Sequence, residues 1–196
     1  MIRPKVPFYL IRHGETDWNR EERFQGQTDI AMNANGRAQA SANGKLLAQA
    51  VSDWSQWRFF ASPLGRTRET MELMRAAIGL PPQDYSTDRR LIELTFGDWE
   101  GHTLSELETT IPEAVSERQN HKWDYRQPNG ESYADGMVRV APFFAELDQP
   151  TIIVTHGGIV RIVRQLVEGL GFNEAAGQAV PQDQLYYFDG ETGGYL

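Results

Sequence analysis

Two apolar segments that lie far apart in the chain end in the same way. VPFYLI leads into Arg12, His13 and Gly14, and far downstream TIIVT leads into His156, which is again followed by glycine. Short segments that are apolar on both faces are typical of strands inside a parallel sheet covered by helices. In open α/β sheets, ligands bind beyond the carboxyl ends of the strands. The sequence therefore predicts one pocket at that edge which holds both imidazoles.

The rest of the chain alternates predicted strands with predicted helices, which is typical of an α/β fold with helices on both faces of the sheet. We therefore expect a three-layer α/β/α fold with a mostly parallel central sheet. Strands are expected over 8–11, 57–61, 152–155 and 185–188, with an edge strand within 85–91; helices are expected over 37–50, 66–78, 103–112, 112–126, 132–147 and 159–171, and a functional loop over 14–32. Residues 1–196 are expected to form one domain, with a small helical insert around 102–127 that covers the site.

Local signals mark several ends of these elements. Thr103 and Glu106 have the spacing of a helix-capping box. Gly171 is expected to end the helix that starts near 159. The pair Asn35 and Gly36 is typical of a turn, so the next helix is expected to begin after it.

Composition narrows the classes of function. The net charge of −8 argues against non-specific nucleic-acid binding, which needs a basic surface. No apolar segment approaches the length of a membrane span, and the absence of cysteine leaves no thiolate nucleophile and no Cys-based zinc site. The four histidines lack metal-binding spacing, and His102 and His121 are expected on the surface. We therefore predict a cytoplasmic protein with no metal, no membrane partner and no nucleic-acid partner.

His13 is the candidate nucleophile. A neutral imidazole can attack phosphorus and form a phosphohistidine, which divides one difficult displacement into two easier steps. Neighbouring guanidinium groups disfavour the imidazolium and balance the charge of the phosphoryl oxygens. Arg12, Arg66 and Arg68 are the candidates, and the last two lie near a predicted helix N-terminus, where a cation is unfavourable unless an anion binds there. We therefore expect a phosphorylated small molecule as the partner.

His156 and a carboxyl group complete the expected chemistry. His156 precedes Gly157 and a predicted helix N-terminus, whose free N–H groups bind anions, and its ring can donate to a phosphoryl oxygen. The leaving alcohol needs a proton and the attacking water needs a base, and one carboxyl group can serve both steps. Glu93 is a candidate, while Glu15 and Glu100 remain open on spacing alone.

Five motifs occur in the order found in one known family. They are RHGETDWN (12–19), SPLGRTRET (62–70), LIELTFGDWEG (91–101), PNGES (128–132) and VTHGG (154–158). Together they span nearly the whole chain and resemble the histidine phosphatase (phosphoglycerate mutase-like) superfamily. The resemblance implies a phosphoglycerate mutase-like fold and catalysis without a metal or another cofactor.

The resemblance also implies a role for each site residue. His13 matches the nucleophile that becomes phosphorylated, and Glu93 matches the proton donor, which spacing alone does not decide. The other matching positions bind the phosphoryl group or line its pocket: Arg12, Asn19, Arg66 and His156 in the phosphate pocket, and Thr16, Gln25 and Gly26 on the loop beside it.

The branch of the family is predicted from the segment that follows the WEG sequence. Cofactor-dependent phosphoglycerate mutases carry a lysine and paired arginines there, which bind a second acidic group. Here residues 102–127 are short and acidic, with Arg118, Lys122 and Arg126 as the cations. This favours a phosphatase of small phosphomonoesters that acts through phospho-His13. The alternatives are a cofactor-dependent phosphoglycerate mutase and an α-ribazole-5′-phosphate phosphatase, and the chain is expected to be a monomer or a homodimer.

Overall fold

One six-stranded sheet runs through residues 4–196, the part of the chain that this computed structural model describes. Residues 1–3 of the predicted domain lie outside the described residues. The strands are β1 (Phe8–Arg12), β2 (Arg58–Ala61), β3 (Ser86–Thr87), β4 (Thr151–Thr155), β5 (Tyr186–Phe188) and β6 (Gly193–Tyr195). Their order across the sheet is β3-β2-β4-β1-β5-β6; the first four are parallel, β5 is antiparallel to β1, and β6 is antiparallel to β5.

Helices connect the strands and cover the sheet. They are α1 (Asp17–Arg20), α2 (Ala34–Ala50), α3 (Gly65–Ala77), α4 (Leu104–Thr110), α5 (Pro112–Asn120), α6 (Tyr133–Ala145), α7 (Gly157–Glu168) and α8 (Phe172–Gly177). Short 3₁₀ turns are formed by Trp54–Gln56, Arg89–Leu91 and Gly97–Trp99. Within residues 4–196, no helix combines the length and the apolar character that crossing a bilayer requires.

The two faces of the sheet have separate hydrophobic cores. Along β1, Phe8 and Leu10 face a core shared with α6, α7 and α8, whereas Tyr9 and Ile11 face a core shared with α2 and α3. This alternation follows from the two-residue period of a strand. All four side chains are at most 4% exposed, so β1 is covered on both faces. The predicted α/β fold with three layers and a mostly parallel sheet is confirmed.

The parallel register brings three strand ends side by side. Arg12 pairs with Thr155 at the carboxyl ends of β1 and β4. The N–H of His13 donates to the carbonyl oxygen of Thr155 at 3.0 Å. The N–H of Ser62, which directly follows β2, donates to the carbonyl oxygen of Val154 at 3.0 Å. The residues that follow β1, β2 and β4 therefore meet at one edge of the sheet.

Several predicted element ends are wrong. The helix expected to end at Gly171 ends at Glu168, because Gly169 adopts the left-handed conformation (φ 70°) that closes it, and α8 follows. The helix expected after the turn at 35–36 begins at Ala34, since the Asn33 side chain caps it by accepting from the N–H of Gly36. The expected edge strand shrinks to β3, and the helix expected over 112–126 ends at Asn120.

Candidate active site

His13 follows β1 and is only 3% exposed. Its Nδ1 lies 2.8 Å from the carbonyl oxygen of Gly14, and its Nε2 lies 3.2 Å from Nε of Arg66. Because a carbonyl oxygen only accepts and a guanidinium only donates, these contacts place the ring proton on Nδ1 and the lone pair on Nε2. Nε2 is therefore the nitrogen that can attack phosphorus.

Two guanidinium groups lie beside this ring. Arg66, in the first turn of α3, is 1% exposed and donates to the carbonyl oxygens of Gly26 at 2.7 Å and Thr28 at 2.9 Å. Arg12 donates from Nη1 to the carbonyl oxygen of Val180 at 2.9 Å, while its Nε is buried without a protein partner. Burial lowers the pKa of Arg12 to about 10, so this group stays charged at neutral pH. A buried cationic N–H without an acceptor favours binding of an anionic oxygen.

His156 follows β4 and is fully buried. Its Nε2 lies 2.7 Å from Oγ of Ser62, and its Nδ1 is buried without a protein partner. When the Ser62 hydroxyl donates to Nε2, the neutral ring carries its proton on Nδ1. The ring centroids of His13 and His156 are 5.2 Å apart, so the structure brings the two imidazoles together.

Both imidazoles are held in the neutral state. Burial lowers the pKa of His13 well below its ordinary value, and the charges of Arg66 and Arg12 lower it further, against the opposing hydrogen bond to Gly14. Burial and the charge of Arg66 act in the same direction on the pKa of His156. A neutral His13 at physiological pH is what nucleophilic attack requires.

Glu93 lies 8% exposed between the two histidine segments. One carboxylate oxygen accepts from the N–H of Leu94 at 3.0 Å, and the other accepts from the N–H of Gly158 at 3.1 Å. Gly158 is in the first turn of α7, directly after His156 and Gly157. The carboxylate is thus held at the same strand edge as the two imidazoles.

The two other candidate carboxylates have structural partners. Glu15 accepts from Nδ2 of Asn33 at 2.8 Å, next to the start of α2. Glu100 is more strongly tied: its oxygens accept from the N–H groups of Gln27, Thr28 and Phe96 and from the hydroxyls of Thr28 and Thr95. Burial opposes the change, but these hydrogen bonds together lower the pKa of Glu100. Glu100 therefore joins two loops as a fixed carboxylate.

The loop that follows His13 holds the Arg66 side chain through hydrogen bonds. Thr16 is fully buried and caps α1 by accepting from the N–H of Asn19 at 3.2 Å. The Gln25 amide satisfies both neighbours when its oxygen faces Arg66, at 2.9 Å from Nε and 3.0 Å from Nη1, and its nitrogen faces Thr16 Oγ1 at 2.6 Å. Gln182 adds a further link, since its amide donates to the Asn19 side chain at 3.1 Å and to the His13 carbonyl at 3.0 Å.

A cavity of about 340 Å³ opens at this edge. Most of the predicted site residues line it: Arg12, His13, Asn19, Gln25, Gly26, Arg66, Glu93 and Gly157. Thr16 and His156 are buried behind this lining. Within residues 4–196, no three His, Cys, Asp or Glu side chains are grouped so that they could hold a metal ion.

Besides Arg12 and Arg66, the cavity lining carries a second group of cations, Arg118, Lys122 and Arg161, which we call the outer basic wall. Arg118 is 7% exposed and lies over the ring of Phe24, at 5.0 Å from its centroid. Burial, with Arg161 and Arg118 nearby, lowers the pKa of Lys122 to about 8. Among the described residues, none of the three cations forms an ion pair with a carboxylate. Arg126, in contrast, pairs with Asp135 at 2.5 Å.

Three residues considered from sequence lie elsewhere. Arg68 is exposed, interacts with Tyr85 and lies beside a different cleft, so its expected place in the arginine cluster is wrong. Arg66 and Arg68 are two residues apart on α3, so their side chains leave the helix about 200° apart and lie on opposite faces. His102 and His121 are exposed, as expected.

Sequence reasoning missed Ser62 and Arg161. Ser62 follows a predicted strand, and the parallel pairing of β2 with β4 alone would have placed it beside His156. Arg161 lies one turn into α7, four residues after Gly157. The helical period places these two positions on one side of the helix, so the VTHGG motif carried a signal for this cation.

The strands, helices and site define an α/β protein in which two imidazoles and two guanidinium groups meet at the carboxyl ends of the parallel strands. The sequence model of the histidine phosphatase superfamily (branch 1) matches residues 8–195. The chain therefore belongs to the histidine phosphatase superfamily, branch 1.

Relatives of this chain differ in their named activities. A protein of Serratia proteamaculans (strain 568) named "Probable phosphoglycerate mutase GpmB" is 37% identical over 168 residues, which cover 83% of this chain and 74% of that protein. A glucosyl-3-phosphoglycerate phosphatase of Mycolicibacterium vanbaalenii is 31% identical over 174 residues, or 82% of this chain and 73% of the relative. A crystal structure from Escherichia coli K-12 named "putative alpha-ribazole-5'-P phosphatase" superposes with a TM-score of 0.80 at 26% identity, over 97% of this chain and 94% of that one.

Proposed function

We propose that the protein hydrolyses phosphomonoesters of small metabolites through a phosphohistidine on His13. The observation that carries the proposal is the pair of neutral imidazoles, 5.2 Å between centroids, beside the buried guanidinium group of Arg66 and the partly buried one of Arg12. Such a centre supplies a nucleophile and balances the charge of a phosphoryl group, the two main requirements of phosphoryl transfer.

The proposed reaction has two steps. Nε2 of His13 attacks phosphorus, the bond from phosphorus to the ester oxygen breaks, and Glu93 gives its proton to the leaving alcohol. Glu93, now a carboxylate, takes a proton from water, whose oxygen displaces the imidazole and releases inorganic phosphate. Arg12, Arg66 and the Nδ1–H of His156 stabilise the phosphoryl oxygens in both steps, and the loop with Thr16, Asn19, Gln25 and Gly26 holds Arg66 in place, while Gly157 offers its backbone at the helix N-terminus.

The first test uses p-nitrophenyl phosphate. The variant His13→Ala is expected to lose turnover by at least about 10³-fold, because it lacks the nitrogen that attacks phosphorus in the proposed reaction. The wild-type chain, quenched during turnover, should carry one acid-labile phosphoryl group, and EDTA should leave the rate unchanged. Turnover that survives in His13→Ala would overturn the proposal.

A mutase is the second candidate, because relatives of both kinds exist. The two differ in the acceptor of the phosphoryl group from His13, which is water in a phosphatase and a hydroxyl of a second substrate in a mutase. An assay of the conversion of 3-phosphoglycerate to 2-phosphoglycerate separates them. We expect release of inorganic phosphate to exceed interconversion, and the opposite ratio would assign the mutase.

The outer basic wall supports a substrate class within this proposal. In the proposed reaction the phosphoryl group is bound by the two imidazoles, Arg12 and Arg66. Three further cations without carboxylate partners therefore favour a substrate with a second acidic group, such as a phosphoglycerate. They offer less to the uncharged nucleoside of α-ribazole 5′-phosphate. A panel of both substrates and p-nitrophenyl phosphate would rank the three classes by kcat/KM.

Lys122 provides the variant that tests this class. Lys122→Met is expected to raise KM for 3-phosphoglycerate at least about tenfold, since a charge-assisted hydrogen bond is worth about 1.5–3 kcal/mol. KM for p-nitrophenyl phosphate should stay within about twofold, and Lys45→Met, on the exposed face of α2, should change neither value. Because the pKa of Lys122 is lowered to about 8, KM for 3-phosphoglycerate in the wild type should rise above pH 8, as the ammonium loses its proton. Equal effects on both substrates would contradict the assignment.

A further inference from the structure

Glu93 lies in a segment without regular secondary structure, between the turns Arg89–Leu91 and Gly97–Trp99. A proton donor must be held within a fraction of an ångström of its working position. Neither a helix nor a strand fixes the backbone of Glu93, so other groups must bind its peptide carbonyls.

Arg139 of α6 supplies those bonds on one side. Its Nη2 donates to the carbonyl oxygen of Glu93 at 3.1 Å, and its Nη1 donates to the carbonyl oxygen of Arg90 at 2.8 Å. One guanidinium therefore spans the chain from residue 90 to residue 93. Gln27 adds one bond to the same Glu93 carbonyl, at 3.0 Å.

Glu131, in the PNGES motif, links Arg139 to Thr95, which follows Glu93 in the chain. Its carboxylate pairs with Arg139 through two bonds, 3.2 Å to Nε and 3.1 Å to Nη2, and it also accepts from the N–H of Thr95 at 3.1 Å. The Glu131 backbone N–H donates to the carbonyl oxygen of Thr95 at 2.8 Å. Arg139 and Glu131 thus hold residues 90, 93 and 95 as one unit.

We propose that Arg139 and Glu131 are positioning residues, which orient Glu93 for proton transfer to the leaving alcohol. The inference rests on the proposed function, because Glu93 is the proton donor only there. Neither residue lines the cavity, so neither touches the substrate. A planar guanidinium can bind two carbonyls and a carboxylate together, whereas the ammonium of lysine keeps the charge without this geometry.

The charge of Arg139 also acts on His156, and the test must distinguish this electrostatic effect from the positioning of Glu93. It is one of the cations that lower the pKa of His156, after burial and the charges of Arg66, His13 and Arg12. Arg139→Lys keeps this charge and removes the fork, so a loss in this variant reports geometry.

The test compares leaving groups. p-Nitrophenolate leaves without a proton, whereas the alkoxide of glycerol 2-phosphate needs one, and kcat/KM reports the step in which the alcohol leaves. In Arg139→Lys and Glu131→Gln, we expect kcat/KM for glycerol 2-phosphate to fall about 100-fold and that for p-nitrophenyl phosphate to fall less than about fivefold. Glu93→Gln should show the same selectivity. Adding Arg139→Lys to Glu93→Gln should cost little more, because both changes remove one function.

Arg164→Lys is the matched control. Arg164 pairs with Glu168 through the same two-bond geometry, 2.8 Å from Nε and 3.2 Å from Nη2, but on α7 away from Glu93. Arg164→Lys should leave the ratio of kcat/KM for glycerol 2-phosphate to kcat/KM for p-nitrophenyl phosphate unchanged. An equal loss with both substrates in Arg139→Lys and Glu131→Gln, no loss with either, or losses additive with Glu93→Gln would overturn the positioning role. Loss of the phosphohistidine mechanism itself would instead appear as turnover in His13→Ala.

Discussion

At the scale of single residues, the chemistry depends on which nitrogen of each imidazole carries the proton. The carbonyl of Gly14 keeps the His13 proton on Nδ1 and leaves Nε2 free as a nucleophile. When the hydroxyl of Ser62 donates to Nε2 of His156, this ring carries its proton on Nδ1 as well, but here Nδ1 has no protein partner and is available as a donor. The two rings are thus prepared as a nucleophile and as a donor by one backbone and one side-chain oxygen.

Ser62 gives the prediction that belongs to this scale. In Ser62→Ala, Nε2 of His156 loses its donor inside a fully buried site, so the ring is free to move its proton from Nδ1 to Nε2. Leaving a buried polar atom without its partner lowers the free energy of unfolding by about 1–3 kcal/mol. Loss of the Nδ1–H donor removes a hydrogen bond to the charged phosphoryl group, worth about 1.5–3 kcal/mol, so kcat/KM for p-nitrophenyl phosphate should fall roughly 10- to 150-fold. Nitrogen NMR of the His156 ring should show the changed tautomer.

A buried hydroxyl away from the site controls for stability. Thr151→Val removes a fully buried hydroxyl at the other end of β4, where it donates to the carbonyl oxygen of Gln149. We expect a comparable loss in the free energy of unfolding and no loss in kcat/KM. Wild-type kcat/KM in Ser62→Ala, with the His156 tautomer unchanged, would show that Ser62 does not set the proton.

At the scale of elements, two loops meet at Glu100 and present Arg66 to the site. Gly26 adopts φ 56°, and a Cβ atom on it would collide with Oε1 of Glu100 and lie 3.0 Å from the N–H nitrogen of Phe96. The carbonyl of Gly26 accepts from Arg66 at 2.7 Å. The position of the Arg66 guanidinium therefore depends on the backbone conformation of Gly26 and on its close contact with Glu100.

Gly26→Ala is expected to reduce both stability and activity. The positive φ costs about 1 kcal/mol for alanine, and the collision forces Glu100 or the loop to move, which displaces the acceptor of Arg66. We expect the free energy of unfolding to fall by about 2 kcal/mol or more and kcat/KM by about tenfold. Gly79→Ala is the control, because Gly79 has φ 77° at the end of α3 with nothing within 4 Å of its Cβ position. That variant should lose about 1 kcal/mol of stability and no activity, whereas equal activity losses in both would contradict this account.

The same scale explains which elements the sequence could predict. β1 and β4 have unbroken apolar segments, and the capping box of Thr103 and Glu106 is a local signal, so all three were predicted and are confirmed. β6 and α8 were not predicted from the sequence. The β6 sequence, GGY, has no hydrophobic pattern of its own and forms a strand because it pairs with β5.

The residues of the site also fall into two groups, those that the sequence predicts and those that only the structure shows. Sequence motifs name the residues that end strands, such as His13 and His156, and the resemblance adds Glu93. Contacts set by tertiary packing leave no local pattern, as with Ser62 against His156 or Arg139 against the carbonyl of Glu93. Metal independence, oligomeric state and a cytoplasmic location stay predictions.

At the scale of the whole molecule, charge is distributed unevenly. The chain has a net charge of −8, yet Arg12, Arg66 and the outer basic wall all line one cavity. A negative surface around a positive cavity disfavours non-specific anion binding while the cavity concentrates the field on one ligand. Keeping so many cations close together also requires the two imidazoles to stay neutral.

That neutrality predicts how stability depends on pH. Both imidazoles have pKa values well below 6.5 in the folded chain, so as pH falls through 6.5 the unfolded state takes up protons that the folded state refuses. Stability should therefore fall with decreasing pH by up to about 1.4 kcal/mol per pH unit for each of the two groups. Urea unfolding between pH 7 and pH 5, in buffer without phosphate, measures this slope. His13→Asn together with His156→Asn should flatten it over that range, and an unchanged slope in the double variant would show that neither imidazole is held neutral by folding.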